Sequence, residues 1–210
     1  WKAKRKLLRL KKIDNTSLRK HQFNNILFCP LNATTINTIR ESILALSCKI
    51  QGADISMLYL DSDIPISEFY KSKFDKLIYR IKVKNNIRLS KKLGINTYQT
   101  STYKRYEAEH LDFNLKTIEK LEYKGILIGD LVVASTVRTF LSNGPEWNNP
   151  EFVNTIIKVL NSVQILIVQY NKMLDELNPD KLVMSHGIYV SWGILFRLAR
   201  KRGIPVDVYG

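Results

Sequence analysis

The sequence predicts an α/β protein with a mostly parallel sheet and helices on both of its faces. Short continuous apolar runs, Asn25-Ile-Leu-Phe-Cys-Pro-Leu31 and Ile55-Ser-Met-Leu-Tyr-Leu60, have the character of strands buried on both sides, as in a parallel sheet. Between and after such runs, apolar residues recur at three- and four-residue spacing, the period of an amphipathic helix. The two kinds of segment alternate with no internal repeat and no low-complexity linker, which gives one folding unit over 21–210 behind a basic leader at 1–20. A strand–helix–strand start joined by a right-handed crossover makes the arrangement Rossmann-like.

Each element follows from its residues. Strand 25–31 leads to Thr34 or Thr35, either of which can cap a helix over 35–51 marked by Ile36, Ile39, Ile43, Leu44 and Leu46 and ended by Gly52. After strand 55–60, residues 67–92 predict a very basic helix around a stripe of Phe74, Leu77, Ile78, Ile81 and Ile87. Between Gly94 and Gly125 the pattern is broken and polar, with Tyr98, Tyr103, Tyr106 and Tyr123 scattered through it, and predicts only a short helix near 115–121. A helix entered at Gly129 covers 130–141, and a long one covers 150–177. Asn178-Pro-Asp180 ends the latter; a third strand follows at 181–185, a helix at 190–202 and a fourth strand opening at Gly203.

A net charge of +14 favours an anionic partner: a membrane surface, a nucleic acid or a phosphorylated substrate. Seven basic residues lie in the first twelve, interleaved with Leu7, Leu8 and Leu10, so the leader is a basic amphipathic segment suited either to anionic lipid or to simple solvation. The basic helix at 67–92 has the same two readings. The apolar stretches at 125–137 and 163–168 are interrupted by Asp130 or fall short of the roughly 20 residues that span a bilayer. Cys29 and Cys48 sit in apolar segments with no metal spacing, which suggests a reducing compartment. Two matches to the N-glycosylation triplet, at Asn15 and Asn32, carry almost no weight without a signal peptide. Trp1 in place of Met and a strand-like end at 206–209 lead us to expect further chain on both sides.

Ligands of open α/β sheets collect beyond the carboxyl ends of the strands, so the residues after each strand come first. After the first strand, Asn32 and Thr34 offer an amide and a hydroxyl at a helix start, fit for an anion or a sugar hydroxyl and equally for an N-cap. GxGxxG and GxxxxGK[ST] are both missing, which removes the main support for nicotinamide or nucleoside-triphosphate binding. Asp61 and Asp63 could hold a divalent metal, but with no further ligand nearby they read as a turn, and no metal or cofactor is expected. Ser185-His186-Gly187-Ile-Tyr189 is the most informative: His186 follows an apolar strand directly and can accept a proton from a hydroxyl near neutral pH, or make a structural hydrogen bond. Trp147 and Trp192 read as packing residues.

Tyr123-Lys-Gly-Ile-Leu-Ile-Gly-Asp-Leu-Val-Val-Ala-Ser-Thr-Val-Arg138 and Leu182-Val-Met-Ser-His-Gly-Ile-Tyr-Val-Ser-Trp-Gly193 resemble segments of bacterial capsule and surface-polysaccharide glycosyltransferases of the GT-B type. The likeness covers about residues 120–210. It implies that the chain is one half of a GT-B fold, the half that binds a glycan or lipid-linked acceptor, with a second domain for the nucleotide-sugar donor and no metal. It further implies a cytoplasmic protein, peripheral on the inner face of the membrane. On this reading His186 is the first candidate for the base and Asp130 the second, Asp130 being otherwise a helix cap or a paired carboxylate. Arg138 would pair with Asp130 or grip an acceptor carboxylate or phosphate, and Tyr189 would stack on a sugar ring. The alternative is a basic nucleic-acid-binding or regulatory Rossmann-like module without catalysis, although no base-reading motif supports nucleic acid as a partner.

Overall fold

The structure, a computed structural model, describes residues 24–32, 34–62, 64, 65, 67, 69, 70, 72–102 and 113–209. The basic leader, Asp63, Tyr103 and Tyr106 lie outside the described residues. Asn25–Phe28 (β1) and Asp54–Tyr59 (β2) pair in parallel with Ile26 opposite Ile55 and Phe28 opposite Met57, and both strands are buried on each face. Lys181–Met184 (β6) pairs on the other side of β1, with Phe28 opposite Val183, and Val206–Val208 (β7) adds beyond it.

The outer strand beside β2 is Asn96–Gln99 (β3), a segment the sequence pattern leaves unassigned. Its four residues, Asn-Thr-Tyr-Gln, are only partly buried because β3 is an edge, so no apolar run announces it. A small antiparallel hairpin, Glu122–Tyr123 (β4) and Ile126–Leu127 (β5), was likewise not expected; it closes through a two-residue turn in which Lys124 and Gly125 both have positive φ. The main sheet is thus parallel and five-stranded, ordered β3-β2-β1-β6-β7.

Thr35–Ile50 (α1) and Lys73–Lys92 (α2) are the crossovers of β1-β2-β3. The chain steps the opposite way from β6 to β7, so the right-handed rule puts Val190–Lys201 (α5) on the other face. There it packs against Pro150–Leu177 (α4), and α4 against Gly129–Phe140 (α3). The fold is Rossmann-like. Helix α4 matches its predicted bounds: Asn149 caps it by accepting from the N–H groups of Glu151 and Phe152, and Asn178 ends it in the left-handed region at φ 39°. It is long and apolar enough to cross a membrane by length and composition, which the separate stretches at 125–137 and 163–168 did not signal. Phe152, Ile156, Val163, Ile167 and Tyr170 are nevertheless buried in the core.

Two helices differ from expectation in the side they bury. In α1 the buried positions are Thr38, Glu41, Ser42, Ala45 and Leu46, while Ile36, Ile43 and Leu44 face outward. Helix α2 begins six residues later than predicted, at a capping box in which Ser72 accepts from Asp75 N–H and the Asp75 carboxylate accepts from Ser72 N–H. It buries Tyr79, Val83, Asn86, Leu89 and Ser90, leaving Phe74, Leu77, Ile78 and Ile81 exposed.

Candidate functional site

The chain moves one way from β1 to β3 and the other way from β6 to β7, so its direction reverses between β1 and β6. At such a reversal the following helices leave on opposite faces and their loops part, opening a crevice at the strand carboxyl ends. The loops here are 29–34 after β1 and 185–189 after β6. Cys29 N–H still donates to Val183 O at 2.9 Å, so the two loops diverge from the same level of the sheet.

An aromatic row crosses this edge. The Tyr79 hydroxyl, from α2, lies 2.6 Å from Leu31 O and 3.1 Å from Leu60 O and donates to these carbonyls at the ends of β1 and β2. The Phe69 ring stacks on Tyr79 with centroids 5.8 Å apart and meets Trp192 edge-on at 5.0 Å. Trp192 in turn lies against His186, centroids 4.7 Å apart. The row joins the segment after β2 to the start of α5, and His186 is half-buried at its end.

His186 Nδ1 lies 2.9 Å from Ser185 Oγ. With the proton on Nδ1 donated to that hydroxyl, Nε2 carries the lone pair and is the ring's basic atom. Trp192, 3% exposed, has an indole N–H that finds no hydrogen-bond partner among the described residues. A buried orphan donor of this kind costs about 1–3 kcal/mol, which an acceptor atom of a ligand or water would offset. The loop is fixed from behind: Val190 N–H donates to Ser135 Oγ of α3 at 2.8 Å, and the Tyr170 hydroxyl of α4 donates to Ser191 O at 2.8 Å. Gly193 allows the close approach, since a Cβ there would stand 2.5 Å from Leu131 Cδ2 and 3.1 Å from Gly187 O.

Compared with known proteins, the chain matches no family model, no curated protein and no solved structure. The site therefore rests on its own geometry.

Of the other predicted residues, Asp130 is held by Arg197. The guanidinium donates from Nη1 to Oδ1 at 2.7 Å and from Nη2 to Oδ2 at 2.5 Å, and Nη1 also reaches Leu127 O. The hydrogen bonds and charge of Arg197 hold the Asp130 carboxyl below the usual carboxylate range, which makes it a weak proton acceptor. It sits in the first turn of α3 without capping it, and the cap position is Ile128. Arg138 is not its partner: eight residues on, it lies about 12 Å along the helix axis, and it is exposed. Tyr189 is half-buried at the N-cap of α5 and packs against the core. Asn32 and Thr34 engage each other, Asn32 Oδ1 accepting from Thr34 N–H at 3.1 Å and from its hydroxyl at 3.0 Å. Thr34 is the N-cap residue of α1 but its side chain caps nothing.

Asp61 is a turn residue, accepting from Ser62 N–H at 2.6 Å, Gln99 Nε2 at 3.2 Å and the Ser101 hydroxyl, which ties the end of β2 to the end of β3. Among the described residues no three His, Cys, Asp or Glu side chains converge as metal ligands would.

Sequence reasoning missed two features. Trp192 reads as packing, and only the fold brings it beside His186. Glu41 draws no notice in the sequence, yet it is fully buried, and burial pushes its carboxyl up to about 8 against the pull of a hydrogen bond from Tyr209. The Tyr209 hydroxyl donates to Glu41 Oε1 at 2.5 Å, while Oε2, Thr38 Oγ1 and Ser42 Oγ have no hydrogen-bond partner among the described residues. The Cys29 thiol is pushed up as well, by burial first and by Glu41 second.

Proposed function

We propose that this chain is the acceptor-binding half of a GT-B type glycosyltransferase, which passes a sugar from a nucleotide-sugar donor to a surface-polysaccharide or lipid-linked acceptor. The observation that carries the reading is the position of His186 at the chain reversal between β1 and β6, where open α/β sheets bind their ligands. The segment that holds it is also one of the two that resemble such enzymes.

In this reading the acceptor hydroxyl enters between the loops 29–34 and 185–189. His186 Nε2 takes the hydroxyl proton as the oxygen attacks the anomeric carbon; the bond from that carbon to the donor phosphate breaks, and the nucleoside diphosphate leaves with the electron pair. Ser185 holds the imidazole through Nδ1 so that Nε2 stays basic. Trp192 offers an acceptor oxygen its N–H, which has no partner among the described residues. Asp130 enters as a positioning residue, its pair with Arg197 joining the start of α3 to α5 and so steadying the loop before α5. Stabilising the departing phosphate falls to the donor half. The reading is tested by assaying a full-length protein that carries this domain against a panel of nucleotide sugars: turnover that one sugar supports and His186→Ala abolishes supports it, and silence across the panel counts against it.

A further inference from the structure

Helices α1 and α2 touch and lie on the same face of the sheet, so their outer sides form one surface. That surface is apolar where a solvated layer would be polar. On α2, Phe74 is 68% exposed and Leu77, Ile78 and Ile81 are exposed beside it, at the i, i+3, i+4, i+7 spacing of one helix face. On α1, Ile36, Ile43 and Leu44 are exposed, while the side turned to the sheet carries Thr38, Glu41 and Ser42. An exposed apolar cluster on two adjacent helices marks a contact surface.

Its charge identifies the contact. Helix α2 contains eight basic residues and one acidic one, Asp75, whose carboxylate is engaged in the capping box. Lys84 and Arg88 continue the row of Ile81 by three and seven residues, and Lys73 and Lys82 flank the apolar stripe on its two sides. The cores of protein interfaces are depleted in lysine, and a second copy of this surface would set the same positive charge against itself. A nucleic-acid backbone matches the lysines and leaves four large apolar side chains without a role. An apolar stripe bordered by lysines is the pattern of a helix lying in the interface of an anionic bilayer.

We propose that the outer surface of α1 and α2 docks on an anionic lipid bilayer, with Phe74, Leu77, Ile78 and Ile81 entering the headgroup region and Lys73, Lys82, Lys84 and Arg88 contacting lipid phosphates. This holds whether or not the chain transfers a sugar. The test is sedimentation of the whole chain with vesicles of phosphatidylcholine alone and with phosphatidylglycerol added, across a salt series. The parent binds the anionic vesicles and is released by salt. Lys82→Gln/Lys84→Gln/Arg88→Gln weakens binding roughly a hundred-fold, about five-fold per charge, and Phe74→Ser/Ile81→Ser weakens it at every salt concentration. Unchanged binding by both variants overturns the proposal and assigns any lipid affinity to the leader. Equal binding to neutral vesicles, salt-sensitive binding to DNA without binding to vesicles, or a dimer of the parent that Phe74→Ser/Ile81→Ser dissociates also overturns it. Hydrogen exchange of the unaltered protein gives a check independent of the variants: vesicles slow the amides of 73–82, and identical exchange with and without vesicles contradicts the docking.

Discussion

Burial of Glu41 makes stability depend on pH. In the unfolded chain its carboxyl ionises near 4.5, and in the folded one near 8. Below the first value both states hold the proton and the group contributes no pH dependence. Between the two the unfolded chain releases its proton while the folded chain keeps it, so stability falls as pH rises, and the loss is complete above the second. The shift corresponds to a loss on the order of 3–5 kcal/mol. Glu41→Gln, neutral at every pH, flattens this dependence: urea midpoints of the variant stay level from about pH 5 to pH 8 where those of the parent decline. Parallel curves for the two proteins would show that Glu41 is not the cause. Nothing local in the sequence marks this residue, because a glutamate on an amphipathic helix normally faces water. His186 is different. Its place after an apolar strand and before a glycine was legible at once, and its neighbours were not, since Phe69 and Trp192 are far from each other in sequence. For Asp130 the same limit applies: a partner 67 residues away cannot be read from spacing, whereas Arg138 lies near in sequence and far along the helix.

At the scale of elements, Tyr79 ties α2 to the ends of β1 and β2 through one buried hydroxyl. Tyr79→Phe removes the donor from two carbonyls and costs about 1–3 kcal/mol, read as a lower midpoint in urea; an unchanged midpoint would mean that water reaches Leu31 O and Leu60 O. Gly129 opens α3 against the backbone of Ile118, where a Cβ would stand 1.6 Å from the carbonyl oxygen. Gly129→Ala therefore forces the backbone apart and destabilises by about 2–3 kcal/mol, whereas a loss within a few tenths would show that the approach is looser. The elements that sequence specifies best are those with a strong local signal: the apolar runs of β1 and β2, and α4 with its Asn149-Pro150 start and Asn178 end. Strand β3 and the hairpin lack such a signal because one is a polar edge and the other has two-residue strands. The facing of α1 and α2 was misread for another reason. Periodicity marks an apolar stripe without saying which surface covers it, and here the sheet takes a side that shares only Leu46 and the partly buried Ile39 and Ile87 with the predicted stripes.

For the whole molecule, strand order decides where function is sought. The order β3-β2-β1-β6-β7 sets the loop of His186 beside that of Asn32 at the reversal. The same topology puts the basic, apolar surface of α1 and α2 on one face and leaves the crevice at an edge, so a chain docked by that face would keep the crevice open beside the bilayer, where the lipid-linked acceptor of the proposed transfer would lie. The measurement that tests the central claim most directly is nucleotide release from a nucleotide sugar by the full-length protein, with and without acceptor, for the parent and for His186→Ala, with the melting temperature of each. The account predicts acceptor-dependent release that falls about 10²–10⁴-fold in the variant while the melting temperature stays the same. Equal release by the two proteins, or a loss that follows a lowered melting temperature, would contradict it.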